Sequence, residues 1–121
     1  MSERERERER VRRVGLNEAL FREVNERLVA LAEANRPDPG RLAVLCECGN
    51  VDCDDRIQLD GSAYERVRSD PLLFVVLTGH ELPDVEDVVE REAGYNVVRK
   101  RGPEAEKLAE RTNPRSRNRA G

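Results

Sequence analysis

Apolar residues between positions 14 and 35 recur at the spacing of a helix. In the run GLNEALFREVNERLVALAEAN, Leu20, Val24, Leu28 and Leu31 stand three or four residues apart, and Phe21 and Ala32 widen the stripe. The pattern predicts an amphipathic helix with Asn17 as its cap, Leu16 and Phe21 stapled across that cap, and Pro37 just beyond its end. Further on the period shortens. RLAVLCEC predicts a strand over 42–46 that turns at Gly49-Asn50, and RIQLD a second strand over 56–59 with Ile57 and Leu59 on one face. SAYERVRSD brings Ala63, Tyr64 and Val67 back to helical spacing, with Ser62 and Glu65 as a capping box and Pro71 as the stop. LLFVVLTGH, bounded by Pro71 and Gly79, reads as a buried strand over 73–77. DVEDVVEREAGYNVVRKR breaks at Ala93-Gly94 and favours a hairpin, and a marginal helix is expected over 104–111.

These elements predict an α+β domain of order α-β-β-α-β-β-β, in which one long N-terminal helix packs on a short, mostly antiparallel sheet. Charge sets its limits. SERERERER places opposite charges three apart but like charges four apart, so helix support is partly cancelled. Residues 1–13 are therefore read as a charged low-complexity extension, 14–101 as the domain and 102–121 as a basic flexible tail.

Composition narrows the class. Charged residues (39%) outnumber hydrophobic ones (37%) and Trp is absent, so the apolar stock suits a small core, of the kind a structural metal stabilises. Nothing approaches the ~18-residue apolar run of a membrane span, and the N-terminus lacks the apolar stretch of a signal peptide. The expectation is a cytoplasmic protein with no membrane role. In a reducing compartment clustered cysteines bind metal or react rather than form disulfides. Residues 38–92 carry 5 bases against 14 acids, whereas 93–121 carry 8 bases against 3 acids. The acidic centre argues against a folded surface that tracks phosphates. Weak nucleic-acid binding through the Arg-rich ends, with Arg111, Arg115, Arg117 and Arg119 at the C-terminal one, stays open.

All three cysteines fall within LCECGNVDCDD, as C-x-C-x4-C. On an extended chain Cys46 and Cys48 project from one side, and the turn at Gly49-Asn50 can return Cys53 to them. Structural zinc takes four ligands in a tetrahedron, and three cysteines with one histidine is a recognised set. The single histidine, His80 in TGHE, stands at the end of the third strand and is taken as the fourth ligand, with Asp52, Asp54 or water as alternatives. One zinc would then tie the turn after the first strand to the end of the third. The acids beside Cys53 begin like a calcium loop but fail as one, because Asp55 stands where Gly is needed and Gly61 where a bidentate Glu is needed.

Catalytic zinc patterns are missing too: there is no P-C-x-x-C pair of a deaminase and no second histidine for H-E-x-x-H. Four protein ligands leave no position for a reacting water. The reading is not an enzyme but a zinc-binding module for protein interaction or regulation, its protein partner unknown. The alternatives are a thiol redox sensor that releases zinc on oxidation, and the weak nucleic-acid binder.

The segments FREVNERL, LCECGNVDC, AYERVRSDP and VVLTGHELPDVEDVV resemble a family of short actinobacterial proteins of uncharacterised activity, which carry C-E-C-x4-C, an EYE-x-VR-x-DP helix and a GHE turn. The resemblance covers roughly residues 16–100. Cys46, Cys48, Cys53, Tyr64, Arg68, Pro71, Gly79 and His80 match it, and Ala63 departs where the family has an acid. It implies a compact domain with flexible ends and no particular reaction.

Overall fold

The computed structural model describes residues 2–35 and 40–115. It is an α+β fold: α1 (Glu3–Asn35), β1 (Arg41–Leu45), β2 (Arg56–Asp60), α2 (Gly61–Arg68), β3 (Leu73–Leu77), β4 (Glu86–Glu92), β5 (Tyr95–Lys100) and α3 (Pro103–Arg111). The strands form two small antiparallel sheets rather than one, β1-β2 and β3-β5-β4.

The strands follow their side-chain alternation. Leu42 and Val44 in β1, and Ile57 and Leu59 in β2, are buried while their neighbours Arg41, Ala43, Arg56, Gln58 and Asp60 face outward. β3 is buried almost throughout, with Phe74, Val75 and Val76 at its centre, as expected of a strand covered on both faces. The hairpin β4–β5 forms across Ala93-Gly94, and a register shift between Val88 and Glu90 marks a bulge in it.

α1 differs from its expected outline at both its start and its buried face. It begins at Glu3, because Ser2 caps it: the Glu5 amide donates to Ser2 Oγ (3.1 Å) and the hydroxyl donates to the Glu5 carboxylate (3.1 Å). Asn17 is thus inside the helix and caps nothing, while Leu16 is 43% exposed and forms no staple. Part of the expected stripe faces outward, with Leu20 at 53% and Leu31 at 61% exposed, while Phe21, Val24 and Leu28 are half-buried and Ala32 packs against the core. The buried side of α1 is instead Val14, Glu18, Arg22, Asn25 and Val29. The physical reason lies in what it covers. Two- and three-stranded sheets leave unpaired backbone groups at their edges, and a helix laid over them must offer hydrogen-bonding groups rather than leucines. Asn25 does this for β1: its Oδ1 accepts the Leu45 amide (2.8 Å) and its Nδ2 donates to the Leu45 carbonyl (2.9 Å). Arg22 serves other backbone groups under the helix, donating to the carbonyls of Pro71 (2.7 Å), in the turn before β3, and of Ala109 (2.8 Å), in α3, and stacking 4.5 Å over the Phe74 ring.

Two further expectations change. Ser62 lies inside α2, whose N-cap is Asp60 with no side-chain cap, and Glu65 pairs with Arg115 rather than closing a box. The marginal helix expected over 104–111 forms as α3, and with Ala105 and Ala109 buried the first part of segment 102–121 belongs to the fold rather than to a flexible tail. At Gly15 a Cβ would stand 2.5 Å from Leu108 Cδ2, so α1 and α3 approach as closely as a glycine allows. Arg115 then ties the chain back to Glu26 (2.7 Å) and Glu65 (2.8 Å). Residues 116–121, with Arg117 and Arg119, lie outside the described residues.

Candidate metal centre

The site begins where the chain changes sheets. The Cys46 amide donates to the Asp55 carbonyl (2.9 Å), prolonging the β1–β2 ladder by one pair. One residue later the Glu47 amide donates to the Val75 carbonyl (2.8 Å), and Glu47 Oε1 accepts the Val75 amide (3.1 Å). Glu47 thus pairs the free edge of β3 with its own backbone and its own carboxylate. The period-2 alternation of an extended chain then sends Cys46 and Cys48 to one side and Glu47 to the other.

Cys53 returns through a turn in which its amide donates to the Asn50 carbonyl (3.0 Å), and Asn50 Oδ1 accepts the Asp52 amide (3.0 Å). Gly49 is needed there for space: a Cβ would meet Val14 Cγ1 at 2.5 Å, so the turn lies directly on α1, where Asn17 donates to the Gly49 carbonyl (3.0 Å). His80 comes from the loop after β3. Gly79 has φ +95°, a conformation other residues rarely adopt, and the His80 amide donates to the Leu77 carbonyl (2.9 Å).

The outcome is a cluster. The ligand atoms of Cys46, Cys48, Cys53 and His80 all lie within 4.8 Å of one another. His80 Nδ1 is 3.6 Å from both Cys46 Sγ and Cys53 Sγ. Bond lengths of about 2.3 Å to sulfur and about 2.0–2.1 Å to nitrogen at a tetrahedral angle put sulfur and nitrogen about 3.6 Å apart. The four residues singled out in the sequence therefore converge and can hold a metal ion. Asp52 and Asp54 are exposed and are not members of the group.

The surroundings act unequally on the three thiols: burial pushes Cys53 up, and Cys46 and Cys48 are driven apart by the hydrogen bond between them. Each sulfur has a backbone amide near it: Leu77 donates to Cys46 Sγ (3.1 Å), Asn50 serves Cys48 and Asp55 serves Cys53. The Cys48 thiol is brought down to about 5, chiefly by its hydrogen bond with Cys46, whose own thiol is pushed up in return. On the far side of the imidazole, Nε2 lies 3.8 Å from an Asp55 carboxylate oxygen. Nδ1 thus faces the sulfurs while Nε2 faces that acid, the side from which a carboxylate orients a ligand histidine.

Sequence reasoning missed what stands behind the cluster. Glu47, between the two cysteines, is fully buried and accepts from Arg68 Nη1 (2.9 Å) and Asn25 Nδ2 (2.8 Å) as well as from Val75. Arg68, 1% exposed, also donates to the Leu73 carbonyl (2.7 Å). The signal available was a charged residue between two cysteines just beyond β1, together with the arginine of the YERVR helix. A second buried group joins α1 to the β4–β5 hairpin: Lys100 Nζ lies 2.8 Å from Glu18 and 3.2 Å from Glu86. Burial pushes Glu18 up to about 8, against the pull of Lys100.

A scan against protein-family models finds no match, and neither do searches of curated proteins and of solved structures. Among the described residues no helix is long and apolar enough to cross a membrane.

Proposed function

We propose that the chain is a non-enzymatic module in which Cys46, Cys48, Cys53 and His80 hold one structural zinc, and that it works in the cytoplasm through contacts with other protein chains. The observation that carries the reading is the 3.6 Å spacing between His80 Nδ1 and two sulfurs, which suits zinc with four protein ligands. Soft thiolates favour zinc over magnesium or calcium. A full ligand set makes the ion a clasp: it joins the exit of β1 to the exit of β3, and so one small sheet to the other. The ionic tail counts for less than its sequence suggests, because Arg115 is held by Glu26 and Glu65. That supports a protein partner over nucleic acid. Metal analysis of protein purified without added zinc is the test. One zinc per chain is expected, and a tetrahedral thiolate spectrum with cobalt in its place. A clean zero, or an iron–sulfur absorbance, overturns the proposal.

A second reading, release of the zinc on oxidation, has one observation in its favour: Cys53 is only partly buried, whereas Cys46 and Cys48 are covered. A hydroperoxide would take two electrons from two of the thiolates, which join as a disulfide while the peroxide is reduced to water and alcohol. Zinc release at micromolar peroxide within minutes would support it; retention at millimolar peroxide would remove it.

A further inference from the structure

The outward face of α1 changes character along its length. Leu16, Leu20, Val24 and Leu31 fall within about 80° of arc at 100° per residue, on the side opposite the buried Glu18, Asn25 and Val29. On that same arc the first turns of the helix carry Arg6, Glu9 and Arg13. A helix that needed only water on this side would continue the charges. From Leu16 onward it carries leucines up to 61% exposed, with small Ala30 and Ala34 beside them, and Glu23 and Arg27 as charged residues among them.

We propose that this face pairs with the same face of a second copy of the chain, the two α1 helices running antiparallel about a two-fold axis between Glu23 and Val24. The pattern is self-complementary about that point. Leu16 lies against Leu31 of the second copy, Leu20 packs on the aliphatic stem of its Arg27, and Glu23 stands one turn from that guanidinium, each contact occurring twice. The charge order fits only an antiparallel pair, because a parallel one would bring Glu23 to Glu23 and Arg27 to Arg27. The contact runs about 22 Å from Leu16 to Leu31. Such a helix pair buries on the order of 800 Å² in total, below the range of stable specific interfaces and in that of weak, transient ones. The dimer is therefore reversible, forming at micromolar concentrations, and the charged first turns overhang it at either end. The site lies away from the metal cluster and does not depend on which ion the cluster holds.

The experiment is sedimentation equilibrium on the full chain with its metal bound, over about 1–500 µM. The wild type is expected to pass from monomer to dimer in this range. Leu20→Glu, at a position 53% exposed, should raise the dissociation constant at least about 100-fold with melting temperature and metal content unchanged. Arg27→Glu should weaken the dimer about tenfold, and Glu23→Arg combined with Arg27→Glu should restore it. A monomer at every concentration overturns the proposal, as does a dimer indifferent to Leu20→Glu. A double swap no tighter than the single one overturns the antiparallel register.

Discussion

Replacing Glu47 by glutamine changes one atom, yet it should be among the most damaging substitutions in the chain. The carboxylate is fully buried and accepts three hydrogen bonds, from Arg68, Asn25 and the Val75 amide. Glutamine keeps the shape but turns one acceptor into a donor. If the amide nitrogen faces Val75, it meets an N–H; if it faces Arg68 and Asn25, it meets two. In either orientation the Arg68 guanidinium, 1% exposed, loses its counter-charge. Breaking a buried ion pair from one side costs about 3–5 kcal/mol, and one unsatisfied donor adds roughly 1–3 kcal/mol. A small domain has about 5–15 kcal/mol in all. Urea unfolding with saturating zinc should therefore show Glu47→Gln losing about 4 kcal/mol or more, with metal affinity reduced because the same residue fixes the backbone between Cys46 and Cys48. Arg68→Met alone should cost about as much, through the stranded carboxylate. The double replacement Glu47→Gln, Arg68→Met should cost clearly less than the two singles added, since no unpaired charge remains. A Glu47→Gln loss below about 1 kcal/mol, or strict additivity in the cycle, would refute the reasoning.

Three further outcomes are expected. Cys46→Ser should abolish stoichiometric zinc and lower stability by several kcal/mol, matching chelated wild type, since structural zinc binding supplies on the order of 10 kcal/mol that folding shares; unchanged melting after metal removal would make the site peripheral. Glu18, pushed up to about 8 by burial, keeps its proton in the folded state over a range where the unfolded chain has lost it, so its contribution is full below the unfolded value near 4.5 and is lost as pH rises to 8. Wild-type stability relative to Glu18→Gln should thus fall by about 1.4 kcal/mol per pH unit across that window, and a flat difference between the two denaturation series would contradict it. Arg115→Ala should cost about 1 kcal/mol in the same denaturation assay, as its partners Glu26 and Glu65 are partly buried and exposed respectively; no measurable loss would mean that this end of the chain is peripheral to stability.

The strands and three of the four clustered side chains were legible in the sequence because both are written in local patterns. Alternation fixes which side of β1 and β2 is buried, and the spacing of Cys46, Cys48 and Cys53 with a turn between them requires the thiols to converge whatever the rest of the chain does. His80 could be chosen because it is the single histidine. The face that α1 buries was not legible. A period of 3.6 residues shows where the leucines line up, but which side meets the protein depends on what that protein presents, and here it presents sheet edges in need of partners. Asn25 answers that need across 20 residues of sequence, Arg22 reaches the turn before β3 across 49, and Glu47 finds Arg68 across 21. Such pairs leave no short-range trace, since a buried Glu or Arg looks the same in sequence as a solvated one. The sequence by itself determined most of the strands and the cysteine–histidine cluster; only the tertiary structure decided which polar groups go inside, because their burial is stabilising only when the partner from elsewhere in the chain is already in place.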